Sequence, residues 1–214
     1  MPSPAPAPPN LSPRALRTRA ALIAAGFDLL VERPIDAVAI DELVARAGVA
    51  KGSFFNHFTD KAGFAQAIAT EVRREIEAMV AAANAGVADP VERIAGGMRV
   101  GAQFAVNDPR RAIVLLRGQA NATLRANPLN RGLVADIEAA CRAGLLRPEA
   151  AESGVLYWLG LCQVLMINLV ERGGAARDDG QRVREMMVMG LTGLGLPPAR
   201  AATVAAKVLA ASPF

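Results

Sequence analysis

Residues 40–61, IDELVARAGVAKGSFFNHFTDK, decide the fold of this chain. Their pattern predicts two short helices, over residues 40–47 and 51–58, with apolar positions at helical spacing. Gly48 breaks the first helix, because glycine adopts the left-handed backbone conformation that other residues resist. Two short helices joined by such a tight turn form a predicted helix-turn-helix.

The second of these helices has the side chains of a helix that reads DNA. Phe54 and Phe58 are four residues apart, and both are predicted to turn inward. The outer face then presents Lys51, Ser53, Phe55, Asn56 and His57, and Gly52 lets the backbone come close to DNA. Lysine donates to guanine and asparagine pairs with adenine in the major groove. This helix is therefore predicted to contact DNA.

Further phosphate contacts are predicted outside this helix. Lys61 lies in the first turn of the next helix, whose N-terminus adds backbone N–H donors and a positive dipole. Three arginines precede the first acidic residue of the chain: Arg14, Arg17 and Arg19. They are candidates for contacts with phosphate or the minor groove; alternatively, they belong to an ordinary solvent-exposed surface. Residues 1–63 have a net charge of only +1, so the motif rather than the charge predicts DNA binding.

The run AGVAKGSFFNHFTDK, residues 47–61, resembles the DNA-binding domain of the TetR family of transcriptional repressors. The similarity covers roughly residues 14–75. It implies a homodimer that binds a palindromic operator in double-stranded DNA, and a C-terminal domain whose small-molecule effector releases the operator. The family positions that face the groove or the backbone are here Lys51, Gly52, Asn56 and His57, with Lys61 at the phosphate-contacting position.

Three positions depart from the family pattern. Ala39 and Ala50 stand where a threonine and a serine often cap the two helices, and Phe55 replaces the usual tyrosine. Each change removes a hydroxyl group that could donate to phosphate. At about 0.5–1.5 kcal/mol for each net hydrogen bond, the losses are expected to weaken the anchoring of the DNA backbone rather than the fold.

The composition of the 214 residues and the helix start and stop signals along them predict an all-α fold. Apolar residues are abundant, aromatic residues are scarce, and no segment alternates with the period of a strand. Several helices are expected to begin at a cap followed by proline: Ser12-Pro13, Asp89-Pro90, Asp108-Pro109 and Asn127-Pro128. The expected parts are a disordered proline-rich arm (1–13), a three-helix DNA-binding domain (14–75) and a larger helical ligand-binding and dimerisation domain (76–214).

The periodicity of the first helix predicts which of its residues face the core. The residues expected inside are Ala20, Ile23, Ala24, Phe27, Leu30 and Val31. Pro34 is expected to end this helix near Arg33.

The C-terminal domain is expected to hold the effector between its fifth and eighth helices. The candidate pocket residues are Gln103, Phe104, Arg117, Gln119, Asn121, Tyr157, Trp158 and Gln163, with ordinary core residues as the alternative. Mainly apolar walls favour a small, partly apolar effector. The eighth and ninth helices are expected to pair with those of a second subunit. The residues predicted to form this seam, or alternatively a monomer core, are Met186, Met187, Met189, Leu191 and Leu194.

Several function classes are disfavoured by what the sequence contains. Because His57 is the single histidine, no metal site built on paired histidines is expected, and Cys141 and Cys162 are predicted to be reduced, buried thiols. No nucleotide-binding or hydrolase motif occurs, so neither a cofactor nor an enzymatic function is expected. Two alternatives remain: a hydrolase using carboxylates alone, and a helical interaction module that has lost DNA binding.

Neither export nor membrane insertion is predicted. Residues 1–13 contain six prolines and lack the basic and apolar regions of a signal peptide. The apolar stretch 154–170 is at the lower length limit for a membrane span and contains Gln163 and Asn168. A cytoplasmic protein that does not bind membranes is therefore expected.

Overall fold

The computed structural model describes residues 12–118, 122–173 and 178–211, and within these ranges it has ten α-helices, two short 3-10 helices and no strand. The all-α fold prediction is confirmed. The α-helices are α1 (Pro13–Glu32), α2 (Ile40–Ala47), α3 (Lys51–Phe55), α4 (Lys61–Ala83), α5 (Pro90–Asn107), α6 (Pro109–Arg117), α7 (Arg131–Arg142), α8 (Ala150–Glu171), α9 (Asp179–Gly193) and α10 (Pro198–Ala210). The 3-10 helices are Ile35–Ala37 and Pro128–Asn130.

The chain forms two compact units, which divide inside α4 between Ile68 and Ala69. The boundary expected after residue 75 falls within the same helix. Residues 1–11 of the predicted proline-rich arm lie outside the described residues, whereas Pro13 already belongs to α1.

Helix starts follow the predicted cap-and-proline pattern. Ser12 accepts a hydrogen bond from the backbone N–H of Ala15 at 3.3 Å, and Asp89 accepts one from Val91 at 2.8 Å. Each bond satisfies an N–H group that the first turn of a helix leaves unpaired. Asn127 instead caps a 3-10 turn, so α7 begins at Arg131, three residues later than its proline suggests.

The first unit has a core in which α1 uses a different face from the one predicted. Its buried residues are Leu22, Ala25, Gly26, Leu29 and Leu30, and of the predicted inward set only Leu30 is buried. α1 is apolar on two overlapping stripes, and tertiary packing selects one of them. A Cβ on Gly26 would lie 2.2 Å from Cζ of Phe64, so the absence of a side chain there lets the phenylalanine ring reach α1.

The second unit is built around α5. This helix packs against α6, α7, α8, α9 and α10 and buries eleven of its residues, among them Ile94, Met98 and Phe104. The core continues through Trp158 of α8 and Met187 of α9. Helix α5 therefore supplies the surface on which the other helices of the unit are arranged.

Helix α8 is the described helix that is long and apolar enough to span a membrane by length and composition. Its most apolar 18-residue window has a mean hydropathy of 1.6, and 39% of that window is buried within the protein. Trp158 and Leu165 of this helix lie in the core. A core helix passes the same test, so the apolar character of α8 is weak evidence for a membrane span.

Candidate nucleic-acid interface and ligand cavity

The turn between α2 and α3 has the geometry that its glycine predicts. Gly48 has φ +66° and ψ +33°, which is the left-handed region. Its N–H donates to the carbonyl of Ala45, and the N–H of Val49 donates to the carbonyl of Val44. These bonds close the end of α2 and allow α3 to start three residues later, at Lys51.

Helix α3 is held on its inner side by aromatic packing. Phe54 is fully buried, and its ring centre lies 5.6 Å from that of Phe58 and 5.4 Å from that of Phe64. The inward orientation predicted for Phe54 and Phe58 is therefore confirmed. The helix ends at Phe55 rather than at the predicted Phe58, and the N–H groups of His57 and Phe58 both donate to the carbonyl of Phe54, at 3.0 and 2.9 Å.

The outer side of α3 is open. Lys51, Gly52, Phe55 and Asn56 are exposed, and Ser53 and His57 are half-buried. A Cβ added to Gly52 would have no other atom within 4 Å, so the backbone there is accessible. The ring of Phe55 is 54% exposed, with its edge against Phe54. These six residues, named here the α3 outer face, are brought together on one surface.

The alanines at the starts of α2 and α3 leave both helices without side-chain caps. Neither Ala39 nor Ala50 makes a side-chain hydrogen bond to its helix. These alanines leave first-turn N–H groups without a side-chain acceptor, and one of them, that of Ser53, donates instead to the carbonyl of Ala50 at 2.9 Å.

Asp41 was not identified from the sequence as part of this surface. Its carboxylate lies 2.8 Å from Nζ of Lys51, and both side chains are exposed. The two residues are ten positions apart, on opposite sides of the turn, so helical spacing gave no signal. The structure shows that the basic group of the α3 outer face already has an acidic neighbour.

The other predicted phosphate contacts occupy different settings. Lys61 donates from Nζ to the backbone carbonyls of Asp36 and Val38, at 3.1 and 2.9 Å. Arg14 and Arg17 are exposed in the first two turns of α1. The guanidinium carbon of Arg19 lies 5.6 Å from the ring centre of Phe58, a cation–π distance.

The second unit contains a cavity of about 410 Å³, which is in the size range of small-molecule sites. It is lined by one face of α4, which carries Arg73, Glu77 and Val80, together with residues of α5, α6, α7 and α8. Of the predicted pocket residues, Trp158 and Gln163 line it. Gln103, Phe104, Arg117 and Tyr157 lie elsewhere, and Gln119 and Asn121 are outside the described residues.

Two ion pairs that sequence reasoning missed lie in the cavity wall. Nε of Arg73 is 2.6 Å from Oε1 of Glu77, one helical turn away on α4. Nη2 of Arg93 on α5 is 2.6 Å from Oδ1 of Asp136 on α7. The spacing of Arg73 and Glu77 is visible in the sequence, but the pairing of α5 with α7 depends on tertiary structure.

The chemistry of the remaining candidate groups is simple. Burial raises the pKa of the Cys162 thiol to about 12, so this cavity residue is protonated and unreactive at neutral pH. Cys141 is also a free cysteine, and both cysteines are partly rather than fully buried. In the described part of the chain, no group of three or more histidine, cysteine or acidic residues is arranged to hold a metal ion.

The predicted methionine stripe of α9 is divided between core and surface. Met187, Leu191 and Leu194 are buried in the unit itself, Met186 is partly buried, and Met189 is 67% exposed. The stripe as a whole is therefore not a free seam. An exposed apolar surface is instead formed mainly by α8, and we name it the α8 face: Leu156, Tyr157, Val164 and Ile167.

Residues 22–68 match the sequence profile described as bacterial regulatory proteins, tetR family. Over 60 residues the chain is 38% identical to the transcriptional regulator AcuR of Cereibacter sphaeroides. The family's sequence pattern thus covers residues 22–68 of this chain. The match to AcuR covers 28% of this chain and 27% of AcuR, so it spans about a quarter of the length of that relative.

Solved structures resemble this chain over most of its length. RolR in complex with resorcinol is 21% identical with a TM-score of 0.59, and the match covers 91% of this chain and 95% of RolR. An ArpA-like gamma-butyrolactone receptor is 24% identical with a TM-score of 0.56, covering 91% and 97%. A TetR-family regulator of Marinobacter aquaeolei is 12% identical with a TM-score of 0.65, covering 85% and 97%. At these identities the likeness concerns the fold alone.

The segment that matches the profile is also a structural segment of this chain. Residues 22–68 contain all of α2, the Gly48 turn and α3, and they end where the first compact unit ends. The surface predicted to contact DNA is thus part of the segment that carries the family's sequence pattern.

Proposed function

We propose that this protein is a transcriptional repressor of the TetR family. It binds a palindromic operator in double-stranded DNA as a homodimer and leaves the operator when a small molecule occupies its cavity. Residues 14–75 form the DNA-binding domain, and residues 76–214 form the ligand-binding and dimerisation domain. The function is one of binding rather than catalysis, and we expect it to be exercised in the cytoplasm.

The observation that carries this proposal is the α3 outer face. Its inner side is fixed by the buried ring of Phe54, while Lys51, Gly52 and Asn56 are exposed. A rigid helix with an open backbone, a cationic donor and an amide has what contacts to bases and phosphates require. The uncapped helix starts at Ala39 and Ala50 add N–H donors for phosphate oxygens.

Dimerisation is supported by the α8 face. Leu156, Val164 and Ile167 lie on one side of α8, and Val164 is 60% exposed. Next to them α9 packs closely on α8, because Gly193 makes room for the Tyr157 hydroxyl group. A contiguous exposed apolar surface of this kind is typical of a protein–protein interface. A two-fold pair would place two α3 helices about 34–36 Å apart, one turn of DNA.

Release by an effector is supported by the cavity in the second unit. Its volume of about 410 Å³ suits a small molecule, and Trp158, Leu159 and Met166 give it apolar walls. Structural relatives include RolR bound to resorcinol and a gamma-butyrolactone receptor. A ligand that favours a conformation with wrongly spaced α3 helices lowers the affinity for the operator by population shift.

Selection from random DNA duplexes by the full-length protein tests the proposed function. We expect a recovered palindrome, because two equal subunits read two equal half-sites. Lys51→Ala weakens binding, either uniformly if Lys51 contacts phosphate or selectively if it contacts a base. Arg142→Ala is the matched control, because this exposed arginine of α7 is remote in sequence from the α3 outer face and should leave binding unchanged. Recovery of no sequence, with salt-insensitive behaviour, would contradict the proposal and favour a protein-interaction module.

A further inference from the structure

We propose that the cavity of the second unit binds an uncharged, largely apolar small molecule whose single hydroxyl group is held by Arg73 and Glu77. The inference deepens the proposed function, on which it rests for its biological meaning, by naming the chemical class of the effector. It depends on the charge balance of the cavity wall, on the hydrogen-bonding groups that remain open there, and on the shape of the apolar part.

The cavity wall has no net charge. Its charged side chains are Arg73, Glu77, Arg93 and Asp136, two of each sign, and each arginine is paired with a carboxylate within 2.6 Å. Cys162 adds no charge, because its thiol is protonated at neutral pH. A charged ligand would lose its hydration without gaining an unpaired opposite charge, which is costly in a largely apolar site. An uncharged ligand avoids this cost.

The two ion pairs differ in what they can still bind. Arg93 uses Nε and Nη2 for Asp136, and its Nη1 donates to the carbonyls of Val87 and Ala88 at 2.8 and 2.9 Å. Nearly all its N–H groups are therefore occupied within the protein. This pair holds α5, α7 and the connection before α5 together, and we assign it a structural role.

The Arg73–Glu77 pair retains open hydrogen-bonding groups. Arg73 uses Nε for Glu77 and Nη2 for Oδ1 of Asn130 at 3.0 Å, which leaves Nη1 without a hydrogen bond to the described residues. Glu77 uses Oε1 and leaves Oε2. One donor group of Arg73 and one acceptor atom of Glu77 thus remain on two cavity-lining residues of α4, one helical turn apart. A hydroxyl group accepts from the first and donates to the second, which a carboxylate or an ammonium group cannot do.

The rest of the wall suits an apolar body. Two glycines of α5, Gly97 and Gly101, are one turn apart and both line the cavity. A Cβ on Gly97 would lie 3.8 Å from Val80, and one on Gly101 would lie 3.6 Å from Met166, which are ordinary contacts. Internal packing therefore does not require glycine, although glycine is unfavourable within a helix. Because neither residue has a side chain, the cavity keeps more volume on this side of α5.

Trp158 is the single tryptophan of the chain and lines the cavity, so its fluorescence reports ligand entry directly. The test titrates the full-length protein with 1-octanol, octanoate and octylamine at pH 7, below their aggregation concentrations. These probes share one chain and differ in the charge of the end group. We expect a saturable change of Trp158 emission, with a Kd for 1-octanol at least about tenfold below the Kd for either ion.

Two variants that change the net charge of the cavity wall test the roles assigned to Arg73 and Glu77. Glu77→Gln keeps an acceptor for Arg73 and leaves the wall with a net charge of +1, so octanoate should gain about tenfold in affinity relative to 1-octanol. Arg73→Gln leaves a net charge of −1 and should favour octylamine. Arg74→Gln is the control, since this neighbouring arginine is exposed and does not line the cavity. Gly97→Leu fills the cavity and should abolish all three responses, while circular dichroism reports whether each variant is folded.

The outcomes separate this inference from the proposed function. Equal or tighter binding of octanoate or octylamine to the unaltered protein overturns the inference, and so does the absence of any Trp158 response. Operator binding, measured separately by gel shift, survives either result. Conversely, selective binding of 1-octanol by a protein that selects no DNA sequence supports the inference and contradicts the proposed function.

Discussion

Asp41 forms an ion pair with Lys51, the residue of α3 that we propose contacts DNA. The pair joins α2 to α3 at 2.8 Å, and the side chains are 72% and 58% exposed, respectively. Exposed pairs of this kind contribute at most about 1 kcal/mol, so a phosphate oxygen can displace the carboxylate. The same carboxylate repels an approaching phosphate group. In the proposed complex we therefore expect Asp41 to lower the affinity for DNA of any sequence and to make binding depend more on contacts with bases.

Asp41→Asn is expected to bind DNA about two- to fivefold more tightly, because the substitution removes both the competition for Lys51 and the repulsion of phosphate. Fluorescence anisotropy with a selected operator and with a scrambled duplex measures the effect. The gain should be similar for both duplexes and shrink at high salt. Glu149→Gln removes an exposed acid at the start of α8 and serves as the control. A weaker or unchanged affinity of Asp41→Asn would show that Asp41 does not oppose DNA.

Gly48 and Gly52 lie four residues apart and have opposite requirements. Gly48 has a left-handed backbone, so Gly48→Ala is expected to destabilise the fold by about 1–2 kcal/mol although no atom obstructs the added Cβ. Gly52 is helical and open, so Gly52→Ala should stabilise α3 by up to about 1 kcal/mol while weakening DNA binding. Urea unfolding and anisotropy separate the effects. Parallel losses of stability and binding in both variants would contradict this division of roles.

At the scale of elements, α2 and α3 are short and lack side-chain caps. Helix α3 has only five residues, and neither Ala39 nor Ala50 caps its helix. Isolated helices of this length are unstable in water, so their order depends on packing. The packing is supplied by Phe54 and Phe58 against Phe64, with ring centres 4.7–5.6 Å apart. Aromatic burial therefore replaces capping as the source of order in the helix-turn-helix.

Ala50→Ser is expected to raise the free energy of unfolding by about 1 kcal/mol, because a serine hydroxyl satisfies an unpaired N–H in the first turn of α3. The hydroxyl can also donate to phosphate, so affinity for DNA should rise in the same variant. Urea unfolding and anisotropy measure the two effects. Ala78→Ser, at an exposed position within α4, is the control and should bring no gain. No change in Ala50→Ser would show that water or the DNA already satisfies these N–H groups.

Helix α1 shows what periodicity leaves undecided. Its apolar residues fit two neighbouring stripes, and the predicted set shares only Leu30 with the buried set. The buried stripe is the one that contains Gly26. The ring of Phe64 packs against α1 at this residue, where a Cβ atom would leave no room for it. Three helix boundaries, in contrast, follow local chemistry, and Ser12, Gly48 and Asp89 mark them in the sequence as in the structure. The start of α7 and the end of α3 do not follow the local pattern.

For the molecule as a whole, our proposal requires two copies of the chain to pair through the α8 face. Leu156, Val164 and Ile167 are exposed apolar residues on one side of a long helix. Pairing also multiplies the affinity for DNA, because the second half-site is bound at high effective concentration once the first is engaged.

Val164→Glu is expected to give a monomer, because it places a charge in the centre of the α8 face. Affinity for a palindromic duplex should then fall by at least about 100-fold, while the helix content is unchanged. Analytical ultracentrifugation and anisotropy measure the two effects. Met79→Glu introduces the same charge at an exposed apolar residue of α4 and should remain dimeric. A monomeric unaltered protein, or a dimeric Val164→Glu variant, would contradict the assigned interface.

Local sequence is enough to predict the properties that depend on neighbours along the chain. These are the helical class, the caps, the left-handed Gly48 turn and the positions of Phe54 and Lys51 on opposite sides of α3, since each requires only residues within one or two helical turns. Tertiary structure alone decided which stripe of α1 is buried, that Met187 lies in the core while Met189 is exposed, and that Arg93 meets Asp136 beside the cavity. These features depend on which helix faces meet, and similar apolar stripes leave that choice to the packing of the whole unit.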